Sequence, residues 1–299
     1  MKHILVYEDP VSLKSPGIAP IISRYFDLVP YDSATTYSDD TIFCINVFSR
    51  SPILQQYRRV VIDNLWERPV SYPTNCYSMT NNNWFWYNES LWSRALGYNN
   101  YVPKKTYSKL ALMPMRVQKE HRDLAIIELA KYLDMFVWSY VSKGRLLPND
   151  ADPALVPFQR YFNPEWYNDT YFSLVIESGI GVNNIDVDVF ITEKTFKPIC
   201  FQQPFMVFGY PRTLAHLRTL GFETFENLFD ESYDNEKNYY RRLKLIKTNV
   251  ENFIQTPYDK PTLDKIQHNH HHFFDRALVE KRIIREIIDP LLEYVNTKA

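Results

Sequence analysis

The segment Phe190-Ile191-Thr192-Glu193-Lys194-Thr195-Phe196-Lys197-Pro198-Ile199 lies between two apolar runs. Before it, Thr170 to Ile176 carries two aromatics with Leu, Val and Ile, and ends at Glu177. After it, Gln203 to Gly209 holds Phe205 to Phe208 and closes on a glycine. Runs of β-branched and aromatic residues of this length predict strands. Thr192 predicts a helix start: threonine caps a helix, Glu193 falls in the first turn, and first-turn amides have no intrahelical partner. Such a start favours phosphate. Lys194 and Lys197, three apart, share one face and place positive charge beside a diphosphate. Strand, helix start, helix and strand make a Rossmann-like half. Neither GxGxxG nor GxxxxGK[ST] occurs and glycine is only 7 of 299 residues, so the usual dinucleotide and P-loop fingerprints are absent.

Outward from this block the same alternation continues. Lys109 to Met115 reads as a strand interrupted or ended by Pro114, with Arg116 directly after it. Glu120 to Phe136 has helical periodicity through Leu124, Ile127, Leu129, Leu133 and Phe136. Met135 to Tyr140 is a further strand, followed by Ser142, Lys143 and Gly144. Residues 145–169 read as a long surface insertion, Leu214 to Leu220 as a short helix ended by Gly221, and Phe273 to Ile288 as a terminal helix that Pro290 kinks or ends. In the first third, Ile4 to Tyr7, Thr41 to Val47 and Val60 to Asp63 read as strands. Ile18 to Tyr25 and Ser51 to Arg59 read as short helices. This pattern predicts open α/β domains rather than a sandwich.

Acidic residues close two of the early strands: Glu8 with Asp9, and Asp63 with Glu67 nearby. Ligands gather beyond the carboxyl ends of strands in open α/β sheets, although acidic residues there also cap turns. Asn81 to Trp92 holds three of the six tryptophans and fits either a stacking platform for a sugar or base, or core packing at a domain edge. The expected division is residues 1–105 as one α/β domain and 106–265 as a second, Rossmann-like domain. Residues 266–299 are then a terminal helix packing back on the first domain.

Composition excludes several classes. With 34 Lys and Arg against 35 Asp and Glu, the formal charge is -1, which gives no support for a broad basic nucleic-acid surface. Cys44, Cys76 and Cys200 are far apart, so neither a disulfide framework nor a zinc knuckle is expected. His268, His270, His271 and His272 with Asp275 lack the HxxxH-plus-Glu pattern, and an extended run cannot aim every imidazole at one ion. No metal is expected there; a surface helix start or the lining of an interdomain cleft is. GxSxG is missing, as are RNA-reader signatures. The opening run to Tyr7 is too short for a signal peptide and no stretch approaches about 18 apolar residues. A cytoplasmic protein is expected (the host cytoplasm, if viral).

The block Tyr171 to Glu177, then Phe190 to Ile199, then Gln203-Pro204-Phe205-Met206-Val207-Phe208-Gly209 resembles the donor-binding core of the fucosyltransferase-like glycosyltransferases. Arg116 with His121-Arg122 resembles the Arg and His-Arg pair at the start of their second domain, and Ser142 stands where a donor-contacting serine or asparagine is often seen. The resemblance covers roughly residues 110–210, about a third of the chain; Phe196-Lys197-Pro198-Ile199 departs from the family's small, aliphatic helix interior. It implies an α/β, GT-B-like fold of two Rossmann-like domains facing across a cleft. It also implies Glu193 at the nucleoside, Lys194 and Arg116 at the phosphates, and Glu177 near the sugar or base.

The activity so implied is transfer of a sugar from a nucleoside diphosphate sugar to a hydroxyl of a glycan or small acceptor. Arg116, Lys194, Lys197 and the Thr192 helix start would stabilise the leaving diphosphate. A first-domain carboxylate, Asp63, Glu67, Glu8 or Asp9, would be the base. No spacing selects among them. No cofactor is called for beyond the nucleotide-sugar, and cationic side chains make a divalent metal unnecessary. A second acceptor is a hydroxymethylated base in DNA, as in bacteriophage DNA-modifying enzymes. Lys104-Lys105, Arg241-Arg242, Lys244 and Lys247 supply local positive charge for it, and the Trp84 to Trp92 segment a surface for a flipped base. A non-catalytic nucleotide-sugar-binding or structural protein is the third alternative.

Overall fold

The computed structural model describes residues 2–8, 18–38, 41–46, 53–57, 59–64, 76–147, 163–181 and 189–297. The chain divides into two units, Met1–Leu96 with Phe274–Ala299, and Gly97–Phe273.

The first unit begins β1 (His3–Glu8), α1 (Ala19–Ile22), β2 (Phe26–Pro30), β3 (Ile42–Asn46), α2 (Ile53–Gln56), β4 (Val60–Asp63), β5 (Cys76–Met79) and α3 (Trp84–Ala95). Its strands are all parallel in the order β2-β1-β3-β4-β5. β4 is buried at every position, as an uninterrupted Val-Val-Ile run requires of a strand covered on both faces. Val6, Phe43, Ile45, Ile53, Val60 and Ile62 form one apolar cluster around it. Strands β2 and β5 are absent from the sequence reading because they are the sheet edges. Asp27, Pro30, Tyr77 and Ser78 dilute their apolar pattern, which an edge tolerates and a central strand does not. The aromatic segment is core. Trp84, Trp86 and Tyr87 on α3 are buried, so of the two readings of this segment core packing holds and the stacking platform does not.

The second unit contains β6 (Lys109–Met115), α4 (Glu120–Glu128), a 3₁₀ stretch over Ala130–Met135, β7 (Phe136–Tyr140), α5 (Pro164–Asn168), β8 (Thr170–Ile176), α6 (Glu193–Cys200), β9 (Phe205–Phe208), α7 (Thr213–Thr219), α8 (Tyr239–Asn252) and α9 (Lys260–Phe273). The strands are again all parallel, in the order β7-β6-β8-β9. Each unit is thus a parallel α/β sheet of Rossmann-like type, which bears out the expected α/β class. Pro114 is accommodated because the β6 register with β8 ends at Leu112, while that with β7 continues to Met115. The helix expected over 120–136 ends at Glu128. Ile127 is 69% exposed, so it belongs to no buried face, and the chain tightens to 3₁₀ before Phe136 enters β7. α8 escaped the sequence reading because its charged residues read as a polar run. In the fold, Asn238 caps it by accepting from the Arg241 amide (3.1 Å), and Leu243, Ile246 and Val250 are buried.

The histidine cluster lies at the C-terminal end of α9, not at a helix start. His268 and His272 donate to the Gly221 and Leu220 carbonyls (2.9 and 2.8 Å), and His270 faces those of Cys200 and Asn99 (3.1 and 3.3 Å). They cap the ends of α6 and α7. Among the described residues no cluster of His, Cys, Asp or Glu is arranged to hold a metal ion, and no helix is long and apolar enough to cross a membrane.

The chain then completes the first unit with α10 (Arg276–Ile283), a π-turn over Ile284–Ile288, and α11 (Asp289–Thr297). The expected helix over 273–288 starts later and does not end at Pro290: it runs from Arg276 through the π-turn to Thr297 with helical backbone at both junctions, and the π-turn lies directly before Pro290. Glu286 in that turn accepts from Asn81 (3.3 Å), Asn83 (3.2 Å) and Tyr87, and from Arg282 (3.1 Å) and Arg285 (2.7 Å).

Candidate functional site

In the second unit the chain leaves β6 to one side for β7 and then returns to the other side for β8. The order reverses between β6 and β8, and in open parallel sheets ligands bind beyond the carboxyl ends of the strands at that point. Arg116 follows β6 there and Glu177 follows β8.

Hydrogen bonds tie the surrounding loops together. The Ser142 amide, after β7, donates to the Arg116 carbonyl (2.8 Å). Lys119 Nζ reaches the Ser178 carbonyl (2.6 Å), and Lys194 Nζ, from α6, reaches Ser178 Oγ (3.1 Å). Arg116, Ser142, Glu177, Thr192, Glu193 and Lys194 thus belong to one linked group of segments, with Lys197 one turn further along α6. Lys119, Ser178 and Thr195 join them and were not singled out in the sequence. Thr195 had a local signal, since it lies three residues after Thr192 on the same helix face. Lys119 and Ser178 had none beyond adjacency.

Glu177 is fully buried. Its Oε1 accepts from the Thr192 amide (3.1 Å) and Thr195 Oγ1 (2.7 Å), and its Oε2 from Thr192 Oγ1 (2.6 Å) and the Ser178 amide (3.1 Å). Its carboxylate is spent inside the protein. Thr192 occupies the N-cap position of α6, with φ −108° and ψ −179°, but makes no side-chain cap bond. Its hydroxyl donates to Glu177, and the acceptor side of Oγ1, which an N-cap would turn to a helix amide, faces Lys194 instead. The same Oγ1 accepts from Lys194 Nζ (3.1 Å). Glu177, Thr192 and Lys194 form a relay that sets the helix start against the end of β8.

The loop after β8 is pinned by its carbonyls. His121 Nε2 donates to the Glu177 oxygen (3.0 Å), Arg122 approaches the same oxygen (3.5 Å), and Arg242 Nη2 donates to that of Ile180 (2.6 Å). Burial holds the His121 ring near pKa 4, so it is neutral and donates through Nε2. Gly179 and Gly181 are required by the Tyr210 ring. A Cβ at either would come within 2.8 Å of ring atoms, and Gly181 also has φ +64°.

Glu193 is 3% exposed. Burial alone would raise its pKa, but the charges of Lys194 and Lys197 outweigh it and hold the carboxyl below its ordinary value. Its Oε1 is 2.7 Å from Lys194 Nζ. Arg116 is half-buried and Ser142 exposed.

In the first unit, Asp63 ends β4 fully buried and Glu8 ends β1 half-buried. Asp9 and Glu67 lie outside the described residues. Three of the basic residues considered for DNA are taken up elsewhere. Lys105 is desolvated, its pKa pushed down to about 7, and donates to the Tyr167 carbonyl (2.9 Å). Arg242 is fully buried. Lys247 pairs with Glu128 (3.4 Å).

No protein-family model matches the chain, and no curated protein is similar to it. Among solved structures it is similar to an alpha1,3-fucosyltransferase at 10% identity and a TM-score of 0.46, over 93% of this chain and 92% of that one. An alpha1,3-fucosyltransferase with GDP-fucose is similar at 11% identity and a TM-score of 0.43, over 92% and 90% of the two chains. One with GDP is similar at 10% identity and a TM-score of 0.43, over 93% and 92%.

Proposed function

We propose that the protein is a glycosyltransferase that moves a sugar from a nucleoside diphosphate sugar to a hydroxyl of a glycan or small acceptor. The observation supporting this reading is the meeting of Arg116, Glu193 and Lys194 segments at the β6/β8 reversal, on a helix start held by the buried Glu177. In this reading the acceptor oxygen attacks the anomeric carbon while the bond from that carbon to the diphosphate breaks. The electron pair leaves with the diphosphate, where Arg116, Lys194, Lys197 and the α6 start stabilise it. The acceptor proton passes to a carboxylate base; of the candidates, Asp63 is fully buried and so not exposed to an acceptor, and Glu8 is half-buried. Glu193, an ionised acceptor, takes hydroxyl or N–H donors of the nucleoside. Modified DNA loses support as acceptor from the burial of Arg242, Trp84 and Trp86.

The test is a thermal-shift and calorimetric screen against UDP-, GDP-, CMP- and dTDP-sugars. One donor is expected to stabilise the native chain by mass action, and K194A to weaken it by about tenfold or more, the worth of a charge-assisted hydrogen bond. Unchanged affinity in both E193A and K194A would remove the donor-site assignment. Binding without sugar transfer to any acceptor would leave a nucleotide-sugar-binding protein.

A further inference from the structure

Lys119 stands at the N-cap position of α4, three residues after Arg116, at the reversal between β6 and β8. Its backbone is fixed. The amide donates to the Tyr140 hydroxyl (3.4 Å), and the carbonyl accepts from the Arg122 and Asp123 amides (2.9 and 3.0 Å). From there the side chain reaches to the loop after β8, where Nζ donates to the Ser178 carbonyl (2.6 Å). Lys194 Nζ, from α6, donates to Oγ of the same serine (3.1 Å). Two ammonium groups from two different helix starts thus meet on one half-buried residue. Neither the place of Lys119 at a helix start nor its bond to Ser178 calls for a charge. A lysine side chain has no acceptor with which to cap the α4 amides, and it makes no cap bond. A neutral amide such as glutamine would also donate to the Ser178 carbonyl, without setting a second positive charge near Lys194.

Resting on the reading of this site as the donor-nucleotide site, we propose that Lys119 is a second diphosphate-binding lysine, acting beside Lys194 across Ser178. Both ammonium groups lie one hydrogen bond from this serine, so an anion lying over it is within reach of both. A diphosphate spreads its charge over two phosphoryl groups and can face the two lysines together. Bonds to phosphate oxygens are charged on both sides and stronger than a bond to a carbonyl, so Lys119 turns toward the ligand when it arrives. The anion also relieves the repulsion between the two lysines. During transfer, charge grows on the diphosphate as its bond to the anomeric carbon breaks, and Lys119 then stabilises the leaving group with Arg116 and Lys194. The nucleoside part carries no such charge, so Lys119 acts on the phosphates alone.

Calorimetry on the full chain with UDP, GDP, CDP and dTDP finds the diphosphate that binds, and an NMR titration reads the weaker binding of its nucleoside. K119M is expected to weaken the nucleoside diphosphate about tenfold or more and to leave the nucleoside within about twofold. K119R keeps the charge and should bind the diphosphate more tightly than K119M. If K119M weakens nucleoside and nucleoside diphosphate alike, Lys119 only holds the loop and the proposal is wrong. Unchanged diphosphate affinity overturns it too, while a loss in K194A alone would leave the donor site standing. If no nucleoside diphosphate binds the wild type, the donor-site reading fails and this inference with it. A second measurement needs no variant. Wild-type lysines are acylated with an amine-reactive ester and followed by peptide mass spectrometry. The nucleoside diphosphate should slow acylation of Lys119 several-fold, but not that of Lys281, which is exposed on the first unit. Lys119 acylated at the same rate with and without the diphosphate overturns the proposal.

Discussion

The Glu177 carboxylate and the Thr192 hydroxyl are 2.6 Å apart and both buried, although fifteen residues separate them in the chain. This bond fastens the start of α6 to the end of β8, and Lys194 hangs from the same hydroxyl. The catalytic promise of the Thr-Glu-Lys segment depends on it.

Thr192→Val removes the hydroxyl while keeping the shape. It strips Glu177 of one donor and Lys194 of one acceptor, so a loss of about 1–3 kcal/mol in stability and about tenfold in nucleotide affinity is expected. Thr192→Ser should restore both. Urea unfolding and calorimetry on the pair of variants decide the matter, and a valine variant that binds like wild type would show that the relay does not position Lys194.

His121 is neutral in the fold because burial lowers its pKa to about 4. Unfolded, it takes a proton near pH 6.5. The unfolded state thus binds more protons between these values, and stability falls as pH drops from about 6.5 to about 4. His121→Gln keeps the donor to the Glu177 carbonyl without titrating. It should flatten that limb by about 2 kcal/mol after screening is allowed for, measured as unfolding free energy against pH.

Glu286 works lower on the scale. Burial opposes its charge, but hydrogen bonds from Tyr87, Arg285, Asn83 and Asn81 overcome this and hold its pKa at about 2. Its contribution is full above the ordinary glutamate value near 4.3 and is lost as pH falls toward about 2. Glu286→Gln should remove this acid-limb slope, a change on the order of 2 kcal/mol. An unaltered acid melting curve would mean that the unfolded state holds the same charge as favourably.

Arg242 spans two carbonyls, those of Glu236 and Ile180, from a fully buried position. Arg242→Met is expected to cost about 3 kcal/mol, because both carbonyls lose a charged donor. Lysine should not rescue it, since one ammonium cannot reproduce the two-way fork. Faster amide exchange over Gly179 to Gly181 in the variant would report the loosened loop; exchange as slow as wild type would show that Tyr210 alone suffices.

Strands with continuous apolar runs were legible. β8 and β4 were read over the same residues that form them, and β9 lies within the run read from Gln203 to Gly209, because a strand buried on both faces must be apolar throughout. The helix start at Thr192 was legible for the same local reason, a polar residue ahead of a helical pattern. Edge strands β2 and β5 were not, since half-exposed strands leave a mixed pattern. The basic stretches were misleading, because charge says nothing of whether Arg242 or Lys105 faces water.

Local pattern was therefore enough for the α/β class, the central strands, and the Thr192-Glu193-Lys194 helix start at the end of a strand. Such features follow from propensity and apolar period within a few residues. Tertiary structure decided that Glu177 points inward, that the Thr192 hydroxyl donates to that carboxylate and accepts from Lys194 instead of capping α6, and that Lys194 has every N–H engaged. Those outcomes depend on partners brought together across β8, α6 and the loop after β6. A hydrogen bond's partner is chosen by packing and burial rather than by neighbours in the chain.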